Sequence, residues 1–309
     1  MMLRSKALMT IAAAALAGCA LQPVATPPVA APAIPPAATA SNAAPDSMRW
    51  LYGSGEGAAA SIQAFRALAD YVEHGTARAT GKSPPLSARM SVPMGIGGDG
   101  EQSVGCGSRP EAVVFDVDET LLLNLGYEYW QAATHSGYSS SVWDEWEQTG
   151  ADHVAPAPGA ITALKRIRAA GVTVVFNTNR NAANDAETIS ALKTAGLGDA
   201  VHGETLFLKG DDGTGSAKDG RRAMIAAKYC VIALAGDNLG DFSDRLNARD
   251  LTTAQRRELA ARGPLAALWG NGWFILPNPV YGASIAGDVE DVFPPSARWM
   301  PRAPQTEGK

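Results

Sequence analysis

Between residues 111 and 236, short apolar runs alternate with segments whose apolar residues recur every three or four positions. Ala112-Val113-Val114-Phe115, Val172 to Phe176 and Cys230 to Ala235 are too short and too uniformly apolar for amphipathic helices and read as buried strands. Thr205 to Leu208 is a fourth, shorter candidate. Between them, Ala160–Ala170 carries Ile161, Leu164, Ile167 and Ala170 at helical spacing, with Gly171 in the helix-stop position. Asp185 to Ala195, ending at Gly196, and Lys218 to Ala227 read as further helices. Upstream, Leu51, Ala58, Ile62, Phe65, Leu68, Ala69 and Val72 predict a helical region over 48–72. Strand and helix alternating in this way predict an α/β fold, a mainly parallel sheet with helices on both faces. An aromatic-rich stretch, 127 to 146, interrupts the alternation and reads as a small insertion above the sheet. A glycine-rich stretch, 93 to 109, reads as a loop, because no Lys-Ser or Lys-Thr and no helix follow it as a phosphate cradle requires.

The polar residues at the strand ends change this from a fold to a site. Asp116 and Asp118 close the first run, and residues i and i+2 of an extended chain project to one side. Two carboxylates held together at the end of a buried strand repel unless a cation or a proton intervenes. Open α/β sheets bind their ligands at that end. The pair therefore points to metal-assisted carboxylate chemistry. The second run leads into Asn177-Thr178-Asn179-Arg180, and the third into Gly236-Asp237-Asn238-Leu239-Gly240-Asp241. Lys218 starts the helix that feeds the third strand. Hydroxyl, amides, cations and acids at the ends of three apolar runs are what phosphate chemistry needs. Thr178 also fits as a cap for the next helix, Arg180 as a carboxylate partner, and Lys209 as a rival to Lys218.

The ends of the chain bear on location. Arg4 and Lys6 precede an apolar stretch from Ala7 to Ala17, too short to span a bilayer as a mature helix. It runs into Leu16-Ala17-Gly18-Cys19, which resembles the bacterial lipobox cleaved before its cysteine. Residues 1–18 are thus expected to be a lipoprotein signal peptide, with Cys19 lipidated. Ala20 and Leu21 follow without an aspartate, so an outer-membrane anchor is the expectation. Residues 19–47 are mostly Ala and Pro and read as an extended tether. The mature chain has 24 basic against 31 acidic residues, a net −7, and no clustered Lys and Arg of a nucleic-acid surface. Cys106 and Cys230 remain, and an oxidising envelope leaves a disulfide between them open. His74, His135, His153 and His202 show no ligand spacing.

Phe115-Asp116-Val117-Asp118-Glu119-Thr120, Thr178-Asn179-Arg180, Lys218 and Gly236-Asp237-Asn238-Leu239-Gly240-Asp241-Phe242 resemble, in order, the four motifs of the haloacid dehalogenase superfamily. Asn124, Trp143-Asp144-Glu145-Trp146, Ser216-Ala217-Lys218, Arg221-Arg222 and Leu276-Pro277-Asn278-Pro279-Val280-Tyr281-Gly282 extend the likeness to its class C acid phosphatases, the lipoprotein 5′-nucleotidase family. The resemblance implies a three-layer, mainly parallel, Rossmann-like core over 48–309, with a small cap insertion at about 125–158. It implies Asp116 as nucleophile, Asp118 as general acid and base, and Thr178 and Lys218 as phosphate-stabilising catalytic groups. Mg²⁺ would be held by Asp116, the Asp118 backbone carbonyl and Asp237, with Asp241 supporting from behind. Asn179 and Arg180 would contact substrate, and Trp143 and Tyr281 would clamp an aromatic leaving group, although aromatic residues in such a stretch are commonly core. Trp269 and Trp273 read as core. The expected activity is hydrolysis of small phosphate monoesters such as nucleoside 5′-monophosphates. The rivals are a phosphotransferase on the same scaffold and a non-catalytic nucleotide-binding lipoprotein. Departures from the family pattern are Gly240 where an aspartate is common, Thr for Ser at 178, and Ser284-Ile285 in place of a Trp-Glu pair.

Overall fold

The computed structural model describes residues 43–81, 91–94, 103–262 and 264–301. The expected signal peptide, Cys19, most of the tether and residues 95–102 of the glycine-rich stretch lie outside the described residues. Among the described residues, no helix is long and apolar enough to cross a membrane.

Five parallel strands form the central sheet in the order β5-β4-β1-β6-β7. They are β1 (Glu111–Phe115), β4 (Thr173–Asn181), β5 (Leu206–Lys209), β6 (Cys230–Gly236) and β7 (Trp273–Ile275). The acid-bearing β1 is thus central, flanked by the two strands that lead into the other polar motifs. Alternation along β1 feeds two cores. Val113 and Phe115 join Val174 and Phe176 against helices α2 (Gly55–Gly81), α5 (Ala160–Ala169) and α6 (Asp185–Thr194). Ala112 and Val114 join Val175, Phe242 and Trp273 beside Ile225 of α7 (Asp219–Lys228). Both faces of the sheet are therefore covered, as parallel sheets require. Phe115 is fully buried, and truncation to alanine would cost about 3–5 kcal/mol.

Three boundaries differ from the pattern reading. The helical region expected over 48–72 is two helices, α1 (Asp46–Gly53) and the longer α2. β4 runs through Asn181 instead of ending at Phe176, because Asn177 and Asn181 still pair with Phe207 and Lys209 of β5. β7 was not expected as a strand; Trp273 is core as read, and Trp269 packs on it edge-on at 5.4 Å.

The aromatic insertion lies between β2 (Leu122–Leu123) and β3 (Ala155–Pro156), a short antiparallel ribbon that closes its base. It consists of α3 (Leu125–Thr134) and α4 (Ser140–Thr149). Tyr127 sits among Trp130, Trp143 and Trp146, with ring centroids 4.9–6.3 Å away. Cys106 and Cys230 form a disulfide between the segment before β1 and the start of β6.

Candidate active site

Asp116, the residue after β1, is buried, and its main-chain N–H donates to Ala235 of β6, so the sheet itself sets its position. One carboxylate oxygen accepts from Lys218 Nζ at 2.5 Å, and the other lies 3.2 Å from the Thr120 hydroxyl. Lys218 Nζ also reaches Asp241 Oδ1 at 2.7 Å. Asp237 is held by the Asn278 amide at 2.5 Å and lies 3.2 Å from the same Thr120 hydroxyl. Oxygens of Asp116, Asp237 and Asp241 lie within 4.8 Å of one another.

Electrostatics follow from that crowding. Burial pushes the Asp116 carboxyl up to about 6, against the pull of Lys218 and with Asp241 and Asp118 adding repulsion. Burial and the charges of Asp116 and Asp241 drive Asp237 well above the usual carboxylate range. Burial works against the Lys218 ammonium, but Asp116 and Asp241 outweigh it and raise its proton affinity. Three buried acids facing one buried ammonium leave an excess of negative charge. This is an all-oxygen donor set suited to a hard divalent cation.

Helix α7 braces this floor. Asp244 accepts from the main-chain N–H groups of Lys218 and Asp219, both at 2.8 Å, capping the helix that presents the lysine. Buried Arg221 reaches the Thr178 carbonyl and the Asn179 side chain, and buried Arg222 holds the Gly240 carbonyl at 2.8 Å. A Cβ at Gly236 would run into the Asp241 carboxylate, and one at Gly240 into the Asn247 amide. The glycine at 240 therefore follows from close approach in this chain.

Asp118 sits at the mouth of the floor. Its Oδ1 accepts from Arg180 Nε at 2.9 Å and from Asn124 Nδ2 at 3.0 Å, and Thr178 Oγ1 lies 3.3 Å from its Oδ2. Arg180 is buried and also reaches Asn124 Oδ1 at 2.9 Å, so the structure places it on Asp118. Asn124 receives the Trp146 indole N–H and donates to Glu119, making it a hub between strand end and cap.

Glu119 adopts a left-handed conformation, φ 53°, held by its own N–H to Leu122 at 2.7 Å. Its buried carboxylate accepts from Asn124, Tyr52 and Tyr281. Burial, with the charge of Asp118 beside it, raises this carboxyl to about 7.

Floor and cap enclose a cleft of about 910 Å³, within the range of small-molecule sites. Asp116, Asp118, Lys218, Asp237, Asp241 and Asn179 line it, as do Trp143 and Tyr281. Trp143 donates to Glu147 at 2.6 Å and Tyr281 to Glu119, so both rings are fixed by their polar ends. Glu147 in turn accepts from the Asn181 N–H and the Asn184 amide, tying cap to core. Thr178 and Arg180 stand behind this lining, on Asp118. Lys209 lines the cleft from an exposed position, while buried Lys218 holds the acids. Among the described residues no histidine lines it; His202 is held 2.9 Å from both Asp185 and Asp211.

Pattern reading assigned no role to Glu119, Glu128, Glu147, Tyr52 or Thr120. Asn124 and Asn278 drew attention only through the family likeness.

The fold is similar to the class C acid phosphatase from Bacillus anthracis, at 24% identity and TM-score 0.58, over 77% of this chain and 84% of that one. The same enzyme with tungstate bound matches at 22% identity and TM-score 0.58, over 80% and 92%. Acid phosphatase 1 from Solanum lycopersicum is 29% identical over 134 residues, 41% of this chain and 50% of that protein. The chain thus spans about half the length of that curated relative. The model of HAD superfamily subfamily IIIB (acid phosphatase) matches residues 99–284. That segment is more than half of the chain and carries every acid of the floor, so the chain belongs to the subfamily IIIB acid phosphatases of the haloacid dehalogenase superfamily.

Proposed function

We propose that the protein is a Mg²⁺-dependent acid phosphatase that hydrolyses small phosphate monoesters, nucleoside 5′-monophosphates first among them. The observation that carries this is Asp116 at the head of a cleft, with Lys218 on one oxygen and Asp237 and Asp241 beside it. Asp116 attacks phosphorus, and the bond to the leaving oxygen breaks as Asp118 delivers it a proton. Water then attacks the aspartyl-phosphate, Asp118 takes its proton, and orthophosphate leaves with Asp116 restored. Arg180 and Asn124, both donating to Asp118 Oδ1, hold its carboxyl in place for both steps. Lys218 offsets charge on the nucleophile and on the phosphate oxygens.

Asp116, Asp237 and the Asp118 main-chain carbonyl would hold the cation, with Asp241 keeping Lys218 in place. When bound, the cation neutralises acid and phosphate charge that one lysine cannot. Trp143 and Tyr281, both on the cleft, support an aromatic leaving group. The lipobox-like Leu16-Ala17-Gly18-Cys19 and the Ala/Pro stretch support a lipid-anchored enzyme at the outer membrane.

Phosphate release from nucleotides and simple esters, with Mg²⁺ and with EDTA, tests the activity. Turnover that needs metal and vanishes in Asp116→Asn is the expected result; none under any divalent ion, from folded protein, overturns it. Incorporation of labelled fatty acid, lost in Cys19→Ser, tests the anchor.

A further inference from the structure

Of the cleft-lining acids that the proposed chemistry leaves idle, Asp144 and Glu147 are held by the Asn184 amide, and Glu128 stands apart from them. Glu128 lies in the first turn of α3 and lines the cleft that contains Asp116. It is 3% exposed, yet its Oε2 has no hydrogen-bond partner among the described residues. Buried carboxyl oxygens are nearly always satisfied, so an orphan on a cleft-lining side chain is the group there with a hydrogen bond left to give or take when a ligand fills the cleft.

Its position relative to the reacting centre is fixed. Glu128 is one turn along from Asn124, its N–H bonded to the Asn124 carbonyl at 3.0 Å, and Asn124 is bolted to Asp118 and Arg180. Residues four apart share a helix face, so the carboxyl rides on the group that orients the proton carrier.

We propose that Glu128 is a specificity residue, exchanging a hydrogen bond with a polar N–H or O–H of the leaving group. The inference rests on the phosphatase reading above and names what that enzyme selects. The ionisable groups around Glu128 are Glu119 and the phenols of Tyr52 and Tyr127. Burial first, and then Glu119, raise the carboxyl to about 8, so at neutral pH it enters protonated. A neutral carboxyl both donates and accepts, which matches a sugar hydroxyl or the amide-like edge of a base. A plain aryl or alkyl leaving group would bury it without a partner, and such mismatches discriminate strongly.

The test compares kcat/KM for a nucleoside 5′-monophosphate, ribose 5-phosphate and phenyl phosphate in wild type, Glu128→Leu and Glu128→Gln. The wild type should favour the nucleotide over phenyl phosphate. That ratio should fall at least tenfold in Glu128→Leu and survive largely in Glu128→Gln, which keeps a donor and an acceptor. Ribose 5-phosphate falling together with the nucleotide assigns the partner to the sugar; the nucleotide falling alone assigns it to the base. Parallel loss for all three esters, or an unchanged ratio, overturns the proposal. Were Glu128→Leu to unfold, a wild type that prefers phenyl phosphate would overturn it equally. Were the wild type to release phosphate from no ester, the phosphatase reading fails by itself. Nucleotide binding by calorimetry, wild type against Glu128→Leu, then decides whether Glu128 still reads the ligand.

Discussion

The floor and the wall of the cleft are built on opposite terms. On the floor, Asp116, Asp237, Asp241 and Lys218 each meet at least one countercharge or donor, and α7 braces them from below. On the wall, Trp143 and Tyr281 are fixed through Glu147 and Glu119, but Glu128 Oε2 is buried with no hydrogen-bond partner among the described residues. Phosphate is common to every substrate, so the floor can be complete before one arrives. The leaving group varies, and a group that must recognise it stays unsatisfied until it enters.

The sharpest way to break the comparison is at the floor. Asp116→Asn should lower turnover by roughly 10⁴-fold or more, as loss of a covalent nucleophile does, for every ester alike. Initial rates across the substrate panel check it, and a loss confined to nucleotides would place the nucleophile elsewhere. Lys218→Met leaves Asp116 and Asp241 facing one another without their cation. Removing one partner of a buried pair costs about 3–5 kcal/mol, read as a lower Tm, and millimolar Mg²⁺ should return part of it.

The wall is probed by pH. Glu128 titrates near 8 when folded against 4.5 ordinarily, with burial and then Glu119 as the causes. Below 4.5 the carboxyl is neutral in both states and costs nothing. As pH rises towards 8 the unfolded chain loses the proton first, so wild-type stability declines, and the penalty is complete above 8. Glu128→Gln does not ionise, so its advantage in unfolding free energy should widen between pH 5 and pH 8, by on the order of 1–3 kcal/mol, as denaturant titration at the two pH values would read. An advantage constant with pH would show that the carboxyl is not buried as described. The smallest effect belongs to neither region. Arg166 pairs with Asp70 and Glu73 on the outer surface, and Arg166→Ala should change stability by no more than about 1 kcal/mol. Denaturant titration would detect a larger loss.

What was legible beforehand follows from which forces are local. β1 and its two aspartates could be read because a buried strand declares itself by an apolar run and ends where polarity begins. The same rule misplaced the end of β4. Its last residues are polar, yet they stay in the sheet because Asn177 and Asn181 pair with β5 while Arg221 and Asp118 hold the Asn179 and Thr178 side chains. β7 is three residues long, too short for any period, and α8 (Thr253–Arg262) has no buried residue to mark its face. At the site, the polar residues of four motifs were apparent singly, but their convergence depends on strand order. Arg180 against Asp118 depends on the pairing of β4 with β1, and Glu128 against the cleft on how the cap settles, neither of which spacing encodes. The cysteine pair was open for the same reason; only the tertiary approach of residues 124 apart brings them together.

That bond has a practical side. β1 delivers Asp116, and β6 leads into Asp237 and Asp241, so the disulfide clasps together the two segments that must stay aligned for the acids to meet. A crosslink closing a loop of this length is worth about 4–5 kcal/mol in the chain-entropy treatment. Synthesis in a reducing cytosol would yield the same chain without its clasp. Its alignment would then depend on strand pairing alone, so the oxidation state of a preparation sets how firmly its catalytic acids are held.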